Sequence, residues 1–538
     1  MSQTDIVREG DASAPDAWAL RSVALGGGPL AQALQADTSL HDWLLPAPRD
    51  LAGWKTRLQA VRDAHTVRDW LSPIAAAFSA TGPAADRLAR AAASGVVVTT
   101  GQQPGLFGGP AYTFSKAISA LAMADALEEA TGIPVAPVFW AATDDADWIE
   151  AAVTHVATVR GLETLQLEGP ATDGVAMSDV PLGVMVHALR ALREACGSSA
   201  HQSVLDIVEH AYVPHATIGA AYVELLRALL EPLGIAVLDA SHPALRAAAD
   251  PYIRRALQFA GPIADALSLR TGDIVAAGFD PQVALVDDLT LVFRTESGAS
   301  GRERDRMRTR VPLADAPRVL REAELGTLGA NVLLRPVIER ALLPTVSYHA
   351  GPGEFSYFAQ VAPIARAMGT EVPCAVPRWS GELIDLRAER LQRELGLSDS
   401  TLRDPHAAQS QVARDAVDAN VQDAFERLRV ALETQLNALR AAMERADDLV
   451  PSSVIDGVGK QIEARFDRLE RRVVAGVKRR ETHLMRDVAA VRAAIRPDGQ
   501  SPERRLNLVP MLARFGPAIF VAMRNEARAY VERLVHGY

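Results

Sequence analysis

Four acidic side chains follow one short apolar run and have the chemistry of bases or cation ligands. Residues 135–140 (VAPVFW) are predicted to form a buried strand, and Asp144, Asp145, Asp147 and Glu150 come soon after it. In an open α/β sheet, ligands bind at the carboxyl ends of the strands. A carboxylate at that edge can accept a proton from an amine or bind Mg²⁺. The three aspartates are therefore catalytic candidates, although Asp145 or Asp147 could instead cap a helix.

A glycine-rich loop lies just upstream and offers a second set of polar groups. Residues 101–110 (GQQPGLFGGP) separate a predicted strand at 96–100 from a predicted helix at 111–130. Free N–H groups at a helix N-terminus attract phosphate or carboxylate, which makes Lys116, one turn into the helix, a catalytic candidate. The glycine spacing matches neither the dinucleotide fingerprint nor the P-loop, so an ordinary turn with a solvated Lys116 is the alternative. The binding candidates here are Gln102, Gln103, Gly105, Gly108, Gly109 and Tyr112.

The same order of elements recurs near residue 350. A predicted strand at 344–349 runs into the loop 350–354 (AGPGE), and a helix is predicted over 355–367. An acid in the first helical turn could bind a substrate amine, or could only complement the helix dipole. The binding candidates of this second centre, together with the tryptophan at the end of the 135–140 strand, are Trp140, Tyr348, Gly351, Gly353, Glu354 and Tyr357.

A row of alternating arginines follows in a region, 273–312, that is predicted to be rich in strands. On a strand these side chains would share one face and could hold phosphate or carboxylate groups. A solvated edge strand, whose charge prevents unwanted pairing, is the favoured interpretation. The row consists of Arg302, Arg304, Arg306, Arg308 and Arg310.

Composition excludes several classes of protein. The 538-residue chain has a formal net charge of −10, which argues against a general nucleic-acid or anionic-membrane binder. It has no apolar run of membrane-spanning length and no secretory signal pattern at its start. Its two cysteines, Cys196 and Cys374, favour a reducing compartment and lack partners at metal-ligand spacing. We therefore expect a cytoplasmic protein, and we assign no metal site.

The predicted organisation has four parts. Residues 1–94 are expected to form a helical subregion, and residues 95–380 an α/β core with insertions near 161–215 and 273–330. Heptad-like spacing predicts an antiparallel helical coiled coil within 381–496, with an arm of roughly 40 residues and about 60 Å. Residues 497–538 then return to the core as helix. The alternative is a helical hairpin packed on its own domain.

Three segments carry a resemblance to a known family. TGQQPGLFGGPAYTFSKAISA with PVAPVFWAATDDADWIEA, RPVIERALLPTVSYHAGPGEFSYFAQVAPI, and SPERRLNLVPMLARFG occur in that order. They resemble the BshC family, the bacillithiol biosynthesis cysteine-adding enzymes. The resemblance implies a Rossmann-like parallel-sheet core with inserted connecting segments and a C-terminal coiled coil that forms a homodimer. Ala146 stands where the family pattern has a histidine, so no role of that histidine is transferred.

The resemblance also implies a ligase that joins L-cysteine to glucosaminyl malate in the last step of bacillithiol biosynthesis. Forming an amide from a free carboxylate is uphill in water, and the usual activation uses ATP with Mg²⁺. Whether this chain uses them stays open, because it carries no nucleotide motif. Two alternatives remain: a related ligase or nucleotidyl-transfer enzyme acting on another amine and acid, and a non-catalytic dimeric scaffold.

Overall fold

A computed structural model describes residues 6–9, 18–36, 38–65, 69–169, 174–296, 307–446 and 450–537. These residues contain short strands and many helices in the mixed order of an α/β protein. The strands are β1 Ile6–Glu9, β2 Trp18–Ser22, β3 Val96–Gln102, β4 Val135–Ala141, β5 Val153–Thr158, β6 Gly161–Gln166, β7 Ala236–Asp239, β8 Leu289–Glu296, β9 Met307–Pro312, β10 Leu328–Ala330, β11 Thr345–Ala350, β12 Ala375–Pro377 and β13 Gly381–Asp385.

The helices surround the strands and form the whole C-terminal part after β13. They are α1 Pro29–Ala36, α2 Leu51–His65, α3 Ala75–Phe78, α4 Gly82–Ser94, α5 Tyr112–Thr131, α6 Trp148–Ala151, α7 Val186–Cys196, α8 Gln202–Ala211, α9 Ile218–Leu230, α10 Pro243–Gln258, α11 Ala260–Ala276, α12 Ala316–Glu322, α13 Arg335–Leu342, α14 Pro352–Ala367, α15 Leu386–Glu394, α16 Asp399–Arg403, α17 Pro405–Asp415, α18 Ala419–Arg445, α19 Ser452–Arg480, α20 Thr482–Ile495, α21 Pro502–Arg505, α22 Val509–Phe515 and α23 Ala518–His536.

The core is a five-stranded parallel sheet with the order β12-β11-β3-β4-β7. In chain order this is 5-4-1-2-3, so the direction in which strands are added reverses between β3 and β11. Such a switch point leaves a crevice at the carboxyl ends of the two strands, because their following loops diverge to opposite faces of the sheet. The Rossmann-like fold that the sequence predicted is confirmed.

Alternating side chains of the strands pack into two different layers. Val96 and Val98 of β3 face the layer that contains α2, α5 and α23, whereas Val97 faces the layer of α3 and α4. The period of two follows from strand geometry, and apolar residues at every position are typical of a strand covered on both sides. Helix α5 is buried over almost its whole length and ends at Gly132, which has a φ of +70°.

Strands also occur in the segment 1–94, where helices alone were expected. In this segment, β1 and β2 pair antiparallel. Strand β2 also pairs antiparallel with β13, at the start of the C-terminal part. The predicted insertions contain the antiparallel sheet β10-β8-β9 and strand β6, which pairs with β5. The pairing of β2 with β13 could not be identified locally, because β13 lies about 360 residues further along the chain.

The helical arm is an antiparallel hairpin of α18 and α19. Arg440 pairs with Asp456 near the tip, and Arg429 pairs with Glu470 further down, as antiparallel helices require. The two helices have 27 and 29 residues, so each is about 40 Å long. The arm is shorter than expected, because α19 ends at Arg480. The next helix, α20, packs on the body of the protein through residues such as Val488.

Within the described residues, no helix combines the length and the apolar character that crossing a bilayer requires.

Candidate active site

A cleft of about 720 Å³ opens at the carboxyl ends of β3, β4 and β11, where the strand order reverses. Both loops that the sequence singled out reach this cleft, because β3 and β11 are neighbours in the sheet. The predicted site residues that line it are Gln102, Gln103, Tyr112, Lys116, Trp140, Asp144, Asp145, Gly351, Gly353, Glu354 and Tyr357.

Lys116 and Glu354 join the two loops by a buried ion pair. The Nζ atom of Lys116 lies 2.6 Å from Oε2 of Glu354, and it also donates to Oε1 of Gln102 at 3.0 Å and to the carbonyl of Gly101. Burial lowers the pKa of Lys116, and the nearby Glu354 carboxylate opposes that shift. Glu354 also accepts the N–H of Gly351 at 2.7 Å, so it caps α14 while holding Lys116.

Tyr348 lies beneath the cleft rather than on its wall. Its hydroxyl donates to Oε1 of Glu354 at 2.5 Å and accepts from Nη2 of Arg335 at 3.1 Å. Arg335 lines the cleft and donates to the buried Glu339 at 2.7 Å. Burial raises the pKa of Tyr348 well above its usual value, so the hydroxyl keeps its proton and donates a hydrogen bond to Glu354. Arg335 and Glu339, which continue the polar network, were not among the predicted site residues.

The three aspartates after β4 divide into two roles. Asp145 lines the cleft, and its pKa is raised by burial and by the neighbouring Asp144. Asp144 is fixed by Arg308, which donates to its carbonyl and lies 3.9 Å from its Oδ2 atom. Asp147 does not line the cleft; it accepts the N–H of Glu150 at 3.1 Å and caps the short helix α6. Capping therefore explains the position of Asp147, as the alternative interpretation held.

Glu150 is a cleft residue that was absent from the predicted catalytic set. It accepts a hydrogen bond from Tyr112 at 3.2 Å and one from Gln103 at 2.5 Å. Its pKa is raised, chiefly by burial and then by the charge of Asp147. Two carboxyl groups with raised pKa values, Asp145 and Glu150, therefore share one side of the cleft.

The glycines of the first loop do not face the cleft. Gly105, Gly108 and Gly109 are buried, and none of them lines the cavity. The N–H of Gly108 donates to the carbonyl of Gly105 at 3.0 Å, and the N–H of Gly109 donates to the carbonyl of Leu106 at 3.1 Å. Ala111 N–H, at the start of α5, donates to the carbonyl of Leu506 at 2.8 Å. These three glycines therefore do not lie on the cleft wall, and the N–H groups of Gly108, Gly109 and Ala111 already have acceptors within the chain.

The cationic side of the cleft was largely missed. Arg308 and Arg310 of β9 line the cleft, so the favoured interpretation of the arginine row as a solvated edge is wrong for these two. Their alternation was the available signal, but nothing local showed that β9 folds against the core. Arg302, Arg304 and Arg306 lie outside the described residues. The arginines that line the cleft are Arg308, Arg310, Arg335, Arg378 and Arg504.

Trp140 and Tyr357 form the aromatic parts of the wall. Both are at least nine-tenths buried. The indole Nε1 of Trp140 is buried and has no hydrogen-bond partner among the described residues. The guanidinium of Arg335 lies 6.0 Å from the Trp140 ring centroid and 5.2 Å from that of Tyr348. The aromatic rings therefore hold this cation at the cleft wall.

A second cavity of about 700 Å³ lies behind the first turn of α5. Ala111 and Ser115 face it, whereas Tyr112 and Lys116 face the cleft. Although it is similar in size, none of the predicted site residues lines it. We therefore assign the chemistry to the cleft at the strand ends.

The fold and the cleft define an α/β enzyme with a C-terminal coiled-coil domain. Residues 34–379 match the family description "Bacillithiol biosynthesis BshC, N-terminal Rossmann-like domain", and residues 382–532 match "Bacillithiol biosynthesis BshC, C-terminal coiled-coil domain". The chain belongs to the BshC family, as the three segments predicted.

Curated relatives agree with that assignment. A protein of Solibacter usitatus is 31% identical over 455 residues, which cover 82% of this chain and 84% of the relative. One of Salinibacter ruber is 29% identical over 448 residues, covering 80% and 81%. One of Koribacter versatilis is 31% identical over 444 residues, covering 80% and 81%. All three bear the name "Putative cysteine ligase BshC".

Proposed function

We propose that this protein is a carbon–nitrogen ligase that joins the carboxylate of L-cysteine to the amine of glucosaminyl malate, the last step of bacillithiol biosynthesis. Membership of the BshC family supports the reaction class and the pathway. The observation that carries the proposal is the pairing, in one cleft, of carboxyl groups with raised pKa values and a wall of cations.

The acidic side is suited to the amine. An amine attacks only as the free base, so the ligase must remove a proton from the substrate ammonium group. Burial raises the pKa values of Asp145 and Glu150, and a raised pKa makes each carboxylate a stronger base. We assign proton removal to Asp145, with Glu150 holding the amine.

The cationic side is suited to the carboxylates of the substrates. Arg310 donates two hydrogen bonds to the carbonyl of Thr290 and has no carboxylate partner among the described residues. Arg308 is stacked on Phe293, with 4.6 Å between the guanidinium carbon and the ring centroid. Guanidinium groups held in place in this way bind carboxylates with two hydrogen bonds at little further cost in side-chain order.

The loop does not fit the phosphate-binding role that activation by ATP would require of it. The N–H groups of Gly108, Gly109 and Ala111 donate within the chain, and Lys116 is engaged by Glu354 and Gln102. The described residues contain no group of three His, Cys, Asp or Glu side chains that could hold a metal ion. We derive no step through ATP or Mg²⁺, and the reaction is tested with and without them.

The direct test is product formation by the purified chain. Cysteine and glucosaminyl malate are incubated with enzyme, with and without ATP and Mg²⁺, and bacillithiol is measured by mass spectrometry. Parallel reactions replace glucosaminyl malate with glucosamine or cysteine with serine, because Ala146 replaces the family histidine and another substrate pair is the alternative. Product only from another pair, or none under any condition, would contradict the proposal.

We also propose that the protein is a homodimer formed through the α18–α19 hairpin. No described residue of α18 is buried, and Leu428 and Leu439 are 49% and 43% exposed on it. Apolar side chains at coiled-coil spacing that stay exposed in one chain are suited to pairing with a second copy. Replacing both leucines with lysine should give a monomer in sedimentation velocity, whereas a double variant that remains dimeric would disprove this interface.

A further inference from the structure

One cleft residue comes from the C-terminal coiled-coil domain. Every other residue that lines the cleft lies between Gly101 and Arg378, within the Rossmann-like domain, but Arg504 lies in α21. The Arg504 side chain is exposed and has no hydrogen bond or ion pair with any described residue, although its backbone N–H donates to the carbonyl of Ser501. Its positive charge nevertheless acts on Tyr112, at the acidic side of the cleft. An unpaired guanidinium at the mouth of a substrate cleft is available to an anionic ligand.

The backbone around Arg504 is fixed to the wall of the cleft. Asn507 Nδ2 lies within 3.2 Å of three carbonyl oxygens of the first loop, including those of Phe107 at 3.0 Å and Gly109 at 3.1 Å. The N–H of Asn507 donates to the carbonyl of His155 at 2.8 Å. Because these contacts are buried, they fix the segment to the loop and hold the backbone of Arg504 at the cleft rim.

Glu503 holds a second arginine at the same wall. Its carboxylate binds Arg378 through two hydrogen bonds, at 2.6 and 3.1 Å, and accepts a third from Ser380 at 2.5 Å. The side chains of Glu503 and Arg378 are each 2% exposed. Arg378 lines the cleft, and its Nε atom is buried without a hydrogen-bond partner among the described residues. A buried donor without an acceptor is costly, and this Nε–H is a donor of Arg378 that Glu503 leaves unused.

We propose that the C-terminal domain completes the substrate site, with Arg504 contacting a carboxylate of the malyl group and Glu503 positioning Arg378 for the same group. The inference rests on the proposed function, since it takes glucosaminyl malate as the substrate. A malyl group carries two carboxylates, which two cations suit; the C-terminal segment supplies Arg504 to the cleft and pairs with Arg378 there through Glu503.

The test compares two neighbouring arginines in the full-length protein. Arg504→Gln removes the cleft cation, and Arg505→Gln is the matched control, because Arg505 pairs with Asp498 at 2.8 Å and does not line the cleft. Isothermal titration with glucosaminyl malate, and separately with cysteine, measures binding without turnover. We expect Arg504→Gln to raise the Kd for glucosaminyl malate about fivefold to tenfold, the loss of one charge-assisted contact. Cysteine binding and the control variant should be unchanged.

Each other outcome has a definite meaning. Equal Kd values for the two variants, or an equal loss for both ligands, would overturn the role of Arg504 while leaving the proposed function intact. Absence of glucosaminyl malate binding by the unmodified protein, when cysteine binds, would overturn the substrate and with it this inference.

Glu503→Gln tests the positioning role separately. It keeps the shape of the side chain but removes the charge that holds Arg378. We expect weaker binding of glucosaminyl malate with cysteine binding unchanged, in a variant whose thermal unfolding is measured alongside. A purely structural role would lower the unfolding temperature and weaken both ligands together, which would contradict positioning. If this buried change prevents folding, the exposed Arg504 still provides the decisive comparison.

Discussion

The two glycine-rich loops of the core look alike in sequence and differ in where their backbone groups point. The part of the first loop at 105–109 is closed, because Gly108 and Gly109 donate their N–H groups within it and none of its glycines lines the cleft, although Gln102 and Gln103 do. The loop at 350–354 lies open to the cleft, with Gly351 and Gly353 on its wall. Glycine content is therefore not evidence of ligand binding; what matters is whether the freed backbone still has unused donors.

Removing the link between the two loops should have the largest effect. Lys116→Met keeps the buried volume and deletes the ammonium group that joins Glu354 to Gln102. We expect kcat/KM to fall about 100-fold to 1000-fold, or about 3 to 4 kcal/mol, because the cleft loses a fixed cation beside its acids. Steady-state kinetics measure the loss, and circular dichroism confirms the fold. Activity close to that of the unmodified protein would exclude this pair from the chemistry.

The aspartates provide a matched comparison of a cleft residue and a cap. Asp145→Asn should lower kcat about 100-fold if Asp145 is the base. Asp147→Asn should leave kcat unchanged, because asparagine also caps helices and Asp147 does not line the cleft. The two variants are compared by initial rates at saturating substrate. Equal losses of kcat in the two variants would show that a changed loop conformation, rather than the missing base, causes the loss.

The pH dependence of kcat/KM should show the raised pKa values. A base works only when deprotonated, so activity should fall as pH drops through the raised pKa of Asp145, at a higher pH than for an ordinary carboxyl group. The fall in kcat/KM at low pH, the acidic limb of the profile, should be absent from the remaining activity of Asp145→Asn and present in Glu150→Gln. A limb that persists in Asp145→Asn and disappears in Glu150→Gln would transfer the base role to Glu150.

In the closed loop, a methyl group should affect stability rather than chemistry. Gly108 has a φ of +88°, and an added Cβ would lie 3.3 Å from the ring of Phe114. We expect Gly108→Ala to lower the free energy of unfolding by about 1 to 3 kcal/mol, because alanine is strained at positive φ. Thermal denaturation measures this. A raised KM with unchanged unfolding would place the loop in the substrate site after all.

In the open loop, the same methyl group should have the smallest effect and a different one. Gly353 is exposed, and a Cβ there would meet only Gln282, at 3.8 Å. Gly353→Ala should change the free energy of unfolding by less than about 0.5 kcal/mol. It should raise KM severalfold, because the methyl group enters the cleft. If KM stays constant while the unfolding temperature falls, the contrast between the loops is disproved.

The local units of the fold were predictable, and so were most cleft residues. Apolar runs bounded by glycine and proline identified β3, β4 and β11, and the helices after β3 and β11, to within a few residues. Since these strands are parallel neighbours, the residues at their ends had to meet, which is why Lys116 and Glu354 were both found. The breaks in the helical arm were less predictable, because heptad spacing continues across the kink at Glu481.

The contribution of distant segments could not be predicted. Arg308 and Arg504 reach the cleft through an antiparallel insertion and through the C-terminal domain, about 200 and 400 residues after the first loop. Nothing in their local pattern distinguishes a cleft arginine from a solvated one, because period and composition report only which neighbours along the chain share a face.

By itself, the sequence determined the family, the βα units of the core and the acidic and glycine-rich segments at the strand ends. Only the tertiary structure decided which of those segments are open to a ligand. From the far end of the chain, Asn507 binds carbonyl groups of the closed loop, and Leu506 accepts the N–H of Ala111 just after it. A backbone group's partner is set by long-range packing, and local sequence carries no record of it.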